Sequence, residues 1–184
     1  SNDNILNFEL FDKKNKNVLP KIINEKNHIY KNINVLKYKN YYVIKSQSDL
    51  LGAELCAALK NVYAIAVGYS QTYFSKEEKI FNPESALFSH CVNEMSYLVT
   101  LMGGLPETVF SLSGLGDLHV TSGTGRNGLL GNLLAKSRTY DDIINKELKN
   151  ETVEGAQTIK DLGHLFKKLV KDHKLPILEN LVLC

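Results

Sequence analysis

Residues 50–68 set the first constraint on what this chain can fold into. Leu51, Leu55, Leu59, Val62 and Ala66 recur at three- and four-residue steps, the spacing of a helix with an apolar stripe made for burial. Cys56, Ala57 and Ala58 add small residues that let other helices pack closely on almost every side. Asp49, just upstream, is a candidate N-cap. Glu54 and Lys60 interrupt the apolar run, which makes the segment a poor membrane span and predicts a core helix. Two readings fit Lys60. It is either a lysine snorkelling from a buried helix into water, or a partly desolvated ammonium placed to act as acid and base.

The stretch from Ser113 to Asn127 has a different character. Gly114, Gly116, Gly123 and Gly125 let the backbone come close to a ligand, and Asp117, Thr121, Thr124, Arg126 and Asn127 stand among them. That mixture suits an anionic, hydroxyl-rich ligand. An apolar run from Gly128 to Ala135 follows, so Arg126 and Asn127 are expected at a helix N-terminus. Backbone N–H groups and the helix dipole there favour a phosphate, which a planar guanidinium clamps with two hydrogen bonds. A plain glycine-rich connection with Asn127 as N-cap fits the same residues.

Upstream of residue 48 the pattern suggests a small strand–helix–strand piece. The strands are read at Asn17–Ile23 and Tyr41–Ile44, and the helix between them, Glu25–Tyr38, carries Ile29, Ile33 and Leu36 at helical spacing. Two strands are marginal alone, so residues 1–47 read as the edge of a larger α/β domain. Residues 48–184 read as all-α. Asn82 is expected to cap a helix with Pro83 at its first position and Leu87, Cys91, Met95, Leu98 and Met102 on one face, ending at Gly103 and Gly104. His90 and Glu94, four apart, are expected to pair on its outer face. Pro106 opens a short helix, Thr139 caps another over Tyr140–Leu148, and a long helix follows Val153-Glu154-Gly155 with Ile159, Leu162, Phe166 and Leu169 toward the core. It ends near Asp172 and His173, and Leu175-Pro176 starts a last short helix.

Composition narrows the classes. The net charge of +2, from 22 basic and 20 acidic residues, is too balanced to point to nucleic acid or a membrane surface. Cys56, Cys91 and Cys184 share no ligand spacing, so no metal site is expected. Their odd number suits a reducing, cytoplasmic compartment. Cys56 and Cys91 read as core. No basic-then-apolar leader opens the sequence. At 184 residues the length suits one sizeable domain, or one domain plus a fragment of another.

Taken together, three ordered segments carry a family resemblance. Glu54-Leu55-Cys56-Ala57-Ala58-Leu59-Lys60-Asn61-Val62, continued by Ala64-Ile65-Ala66-Val67-Gly68, is the first. Gly114-Leu115-Gly116-Asp117-Leu118 with Gly125-Arg126-Asn127 is the second, and Val153-Glu154-Gly155 the third. From about Asp49 to Pro176 the chain resembles the C-terminal domain of NAD(P)-dependent glycerol-3-phosphate dehydrogenase of the bacterial and archaeal type. Residues 20–48 resemble, more loosely, the end of that family's nucleotide-binding domain. The resemblance implies a mainly α fold, the helical substrate-binding domain of a two-domain dehydrogenase, like the C-terminal domain of 6-phosphogluconate dehydrogenase.

It also implies a mechanism and roles. The lysine matching Lys60 is the general acid/base at the C2 oxygen of sn-glycerol 3-phosphate or dihydroxyacetone phosphate, with NAD or NADP as hydride partner. Hydride transfer builds alkoxide character on that oxygen, which a nearby ammonium stabilises. By the same carry-over Asp117 holds substrate hydroxyls or orients the lysine, and Thr121 lines the pocket. Arg126 and Asn127 grip the phosphate, Arg126 also reaches the cofactor, and Val153 and Glu154 contact the dinucleotide. Gly125 stands where many relatives have Ser, so a substrate contact there comes from its backbone. Glu84 replaces a common Lys and His90 a common Arg, and residues 71–81 replace a glycine-rich, lysine-bearing segment.

Neither segment read as a strand is followed by Gly-x-Gly-x-x-Gly, so a dinucleotide-binding strand–turn–helix is not expected in these residues. The chain alone is therefore expected to be inactive. The enzyme reading further implies a homodimer, a supply of glycerol 3-phosphate to glycerophospholipid synthesis, and no membrane span. An apolar surface is expected near Lys60 and Tyr63. Two alternatives stand beside this reading: a related dehydrogenase acting on a 3-hydroxy acid or a sugar-acid phosphate, and a non-catalytic helical dimerisation module.

Overall fold

The computed structural model describes residues 36–38, 42–44, 47–75 and 81–183. The chain divides into two compact units, Ser1–Ser48 and Asp49–Cys184. In the first unit, strands β1 (Leu36–Tyr38) and β2 (Tyr42–Ile44) pair antiparallel, with Leu36 opposite Ile44 and Tyr38 opposite Tyr42. Leu36–Tyr38 is extended where helical spacing predicted a helix end. A spacing carried by three residues yields there to pairing with an aromatic, β-branched partner strand. The remainder of that helix, the strand at Asn17–Ile23, residues 76–80 and Cys184 lie outside the described residues.

Every element of the second unit is helical among its described residues. Its elements are α1 (Leu50–Tyr73), α2 (Asn82–Leu101), α3 (Pro106–Val109), a π-helical turn (Leu112–Gly116), α4 (Asp117–Thr124), α5 (Arg126–Leu134), α6 (Tyr140–Lys146), α7 (Glu154–Asp172) and α8 (Pro176–Leu183). Helix α1 is the hub, with α2, α4, α5 and α7 packed on it. Asp49 caps it as expected, accepting from the Gly52 N–H at 2.9 Å. Its other carboxylate oxygen accepts from the Leu105 N–H at 2.8 Å and the Thr108 hydroxyl at 2.7 Å. One side chain therefore ties the start of α1 to the short helix that leads into the glycine-rich stretch.

By length and composition alone α1 is apolar enough to cross a membrane, Glu54 and Lys60 notwithstanding. In this fold other helices cover it, and Cys56, Val62, Tyr63 and Ala64 have no exposed surface. Burial does not follow the whole expected stripe. Leu51, in the first turn, is 44% exposed, whereas Tyr63 is fully buried rather than part of an exposed apolar surface. Helices α1 and α5 cross closely. A Cβ on Gly131 would stand 2.0 Å from the Ile65 carbonyl oxygen, so only glycine permits that approach.

Helix α2 starts one residue earlier than its cap signature implies. Asn82 is its first helical residue, Phe81 occupies the cap position, and no side chain caps the end. Pro83 is tolerated in this first turn because its missing N–H is among those a helix leaves unpaired. Cys91, Met95 and Leu98 are buried as expected, while Met102, past the helix end, is 45% exposed. The expected outer-face pair of His90 and Glu94 is not formed. Glu94 faces inward and is buried, accepting from the Tyr63 hydroxyl at 3.0 Å and from the N–H groups of Ile177 and Leu178 at 2.8 and 3.1 Å.

Along the remaining chain, Thr139 caps α6, its hydroxyl accepting from the Asp142 N–H, and α6 ends at Lys146 rather than Leu148. On α7, Phe166 is buried, Ile159 and Leu169 lie against the core, and Leu162 is partly exposed. Cys56 and Cys91 are free and buried. Burial pushes the Cys56 thiol up to about 11 and raises that of Cys91 further, which suits core residues with no chemical role.

Candidate active site

The glycine-rich stretch is helical rather than an open loop. Its first half is the π-helical turn Leu112–Gly116, and Asp117 opens α4. Helix α4 ends at Thr124, Gly125 breaks it in extended conformation, and Arg126 begins α5. Arg126 and Asn127 therefore do sit at a helix N-terminus. Gly125 holds the cap position, so the plain reading of Asn127 as N-cap does not apply.

Lys60 and Asp117 meet directly. The Lys60 ammonium donates to Asp117 Oδ2 across 57 residues of sequence, with its side chain 16% exposed and that of Asp117 44% exposed. The amine is drawn off the surface, while the carboxylate stays open on one side. A snorkelling lysine would place its head in water. This one has its head on an acid whose second oxygen remains available to hydroxyl donors. Thr121 lies one helical turn after Asp117, so both side chains share one face of α4.

Asn127 is only 2% exposed and ties three helices together. Its Nδ2 donates to Asn61 Oδ1 at 3.1 Å, and its Oδ1 accepts from the Gly155 N–H at 2.8 Å. Asn61 adjoins Lys60, and Gly155 adjoins Glu154. A Cβ at Gly155 would lie 2.2 Å from the Asn61 carbonyl oxygen and 2.8 Å from Asn127 Oδ1, so the third motif needs glycine for α7 to reach α1. Through this bridge the three motifs of the sequence become neighbours in space.

Arg126 points outward and is 43% exposed at its side chain. Its Nη1 donates to Glu151 Oε2 at 3.0 Å and its Nη2 to Glu154 Oε1 at 2.6 Å. Val153, by contrast, turns its side chain into a second core cluster with Ile65, Leu130 and Ile143. Two residues escaped the sequence reading: Asn61, which orients Asn127, and Glu151, which holds Arg126. Asn61 had a signal in its place beside Lys60, but Glu151 had none. Among the described residues no three His, Cys, Asp or Glu side chains gather as metal ligands.

A central apolar helix ringed by shorter ones, with an amine and an acid brought together from two helices and an arginine at the start of a third, is the architecture of a known class of enzyme domain. The chain is similar to the solved glycerol-3-phosphate dehydrogenase of Coxiella burnetii, with a TM-score of 0.64 and 28% identity over 75% of this chain and 41% of that one. It also shares its fold with the enzyme of Dunaliella salina, at a TM-score of 0.65 and 20% identity over 76% of this chain and 27% of that one. Residues 49–183 match the family described as NAD-dependent glycerol-3-phosphate dehydrogenase C-terminus, and the chain belongs to that family.

Curated relatives agree. The chain is 37% identical over 139 residues to the NADP(+)-dependent glycerol-3-phosphate dehydrogenase of Archaeoglobus fulgidus, covering 73% of this chain and 41% of the relative. It is 41% identical over 142 residues to the glycerol-3-phosphate dehydrogenase [NAD(P)+] of Onion yellows phytoplasma, covering 76% and 41%. The chain thus spans about two fifths of the length of the relatives it matches.

Proposed function

We propose that residues 48–184 form the substrate-binding and acid/base half of a glycerol-3-phosphate dehydrogenase, and that residues 1–47 are an edge of its dinucleotide-binding domain. The observation that carries this reading is the Lys60–Asp117 pair, set beside the Asn61–Asn127–Gly155 bridge that leads to Arg126. In this reading sn-glycerol 3-phosphate lies with its C2 hydroxyl at Lys60 Nζ. For oxidation Lys60 first releases its ammonium proton to solvent and then, as the neutral amine, takes the C2 hydroxyl proton while hydride leaves C2; in reduction the ammonium gives that proton to the C2 oxygen of dihydroxyacetone phosphate. Asp117 holds the ammonium in place and accepts from a substrate hydroxyl, and Thr121 lines the same face.

The phosphate sits against Arg126, the backbone of Gly125 and the open N–H groups at the start of α5. Asn127 contributes its second Nδ2 hydrogen, the first being held by Asn61. NAD or NADP, when bound, supplies a nicotinamide that exchanges hydride with C2. The residues present suit the rim of such a cofactor. An exposed guanidinium offers donors to phosphate oxygens, Glu154 in the first turn of α7 is an acceptor for a hydroxyl, and the Val153 contact falls to its backbone because its side chain is in the core. The likeness to named relatives supports glycerol 3-phosphate as substrate; the reading adds a cytoplasmic homodimer that supplies glycerol 3-phosphate to lipid synthesis.

The test is dihydroxyacetone phosphate-dependent oxidation of NADH or NADPH by the enzyme that carries this domain together with a nucleotide-binding domain. Lys60→Ala is expected to lower kcat by about 10²–10⁴-fold, the usual contribution of a general acid/base. A kcat within a few-fold of the unsubstituted enzyme would remove Lys60 from the chemistry.

A further inference from the structure

Arg126 is the cation that the phosphate reading requires, and both of its terminal nitrogens already face carboxylates. The two acids are not equivalent. Glu154 belongs to the first turn of α7, where the helix fixes it, and makes the shorter contact at 2.6 Å. Glu151 belongs to the irregular stretch before α7, makes the longer contact at 3.0 Å, and is the more exposed at 52% against 44%. A guanidinium binds a phosphate through two N–H groups on one edge. A carboxylate on that edge competes for the same donors and adds like charge beside the incoming dianion. Exposed ion pairs of this kind are weak enough for a phosphate to displace.

From this we infer that Glu151 gates Arg126: it competes with the phosphate for Nη1, while Glu154 keeps the guanidinium oriented. Glu151 therefore sets how tightly the domain takes a phosphorylated ligand. The inference rests on the reading of Arg126 as the phosphate residue, and the two can fail separately.

Calorimetric titration of the 184-residue chain with inorganic phosphate and with sn-glycerol 3-phosphate, at low ionic strength, tests it. The proteins are the unsubstituted chain, Glu151→Gln and Arg126→Ala, each with a melting curve as folding control. Glu151→Gln is expected to bind both ligands about two- to five-fold more tightly, the range that loss of one exposed competing charge allows. The gain should shrink as salt is raised, a response that altered packing would not give. Arg126→Ala should lose binding. Unchanged or weaker binding by Glu151→Gln, with binding still lost in Arg126→Ala, overturns the gate and leaves the phosphate reading standing. Binding that survives Arg126→Ala, or no binding by any of the three, overturns both.

Discussion

At the scale of single residues, carboxylates do most of the organising in the helical unit. Asp117 holds the Lys60 amine, Glu94 holds a distant helix end, and Asp49 holds two segments at once. The Thr108 hydroxyl, then the N–H groups of Leu105 and Gly52, hold the Asp49 carboxyl below the usual carboxylate range. A depressed folded value means that the charged form stabilises the fold above the ordinary value of about 3.9, and that this stabilisation fades as pH falls through the lower folded value. Asp49→Asn should therefore melt below the unsubstituted chain near neutrality, with the gap narrowing as pH drops from about 5 to about 2. Thermal melts across that range check it, and a gap that stays constant would remove the charge from the account.

At the scale of elements, Glu94 shows where sequence reasoning reached and where it stopped. Its spacing to His90 suggested a surface pair, because i,i+4 logic sees only one helix. Its true partners lie 31, 83 and 84 residues away, and no local pattern encodes them. A signal was present all the same: Glu94 falls three residues after Cys91 and four before Leu98, inside the apolar face of α2. A carboxylate there must be bonded, and the open N–H groups at the start of α8 bond it. Glu94→Ala leaves those groups and the Tyr63 hydroxyl unpaired, so it should destabilise the chain by about 3 kcal/mol. Chemical denaturation would measure the loss, with hydrogen exchange rising first in Pro176–Leu183. An unchanged midpoint would mean that α8 is held by its apolar contacts alone. The start of α5 and the cap of α1 were legible because their determinants are local. The bridge through Asn127 was not, since it depends on a close approach that Gly155 permits but does not announce.

At the scale of the whole molecule, the helical unit brings three motifs, separated by nearly a hundred residues, to one side of a single hub helix. Their order in the sequence carried the family resemblance, and their hydrogen-bonded contact in space gives that resemblance a physical basis. The matched relatives are more than twice the length of the matched segment, so the helical unit is proposed as one half of a shared site. Amide chemical shifts of the isotopically labelled chain, titrated with sn-glycerol 3-phosphate, test that claim most directly. Saturable changes are expected, confined to Lys60 and Asn61, Asp117 to Thr121, Gly125 to Asn127 and the start of α7. Saturable changes confined to other surfaces, with these residues unmoved, would contradict it.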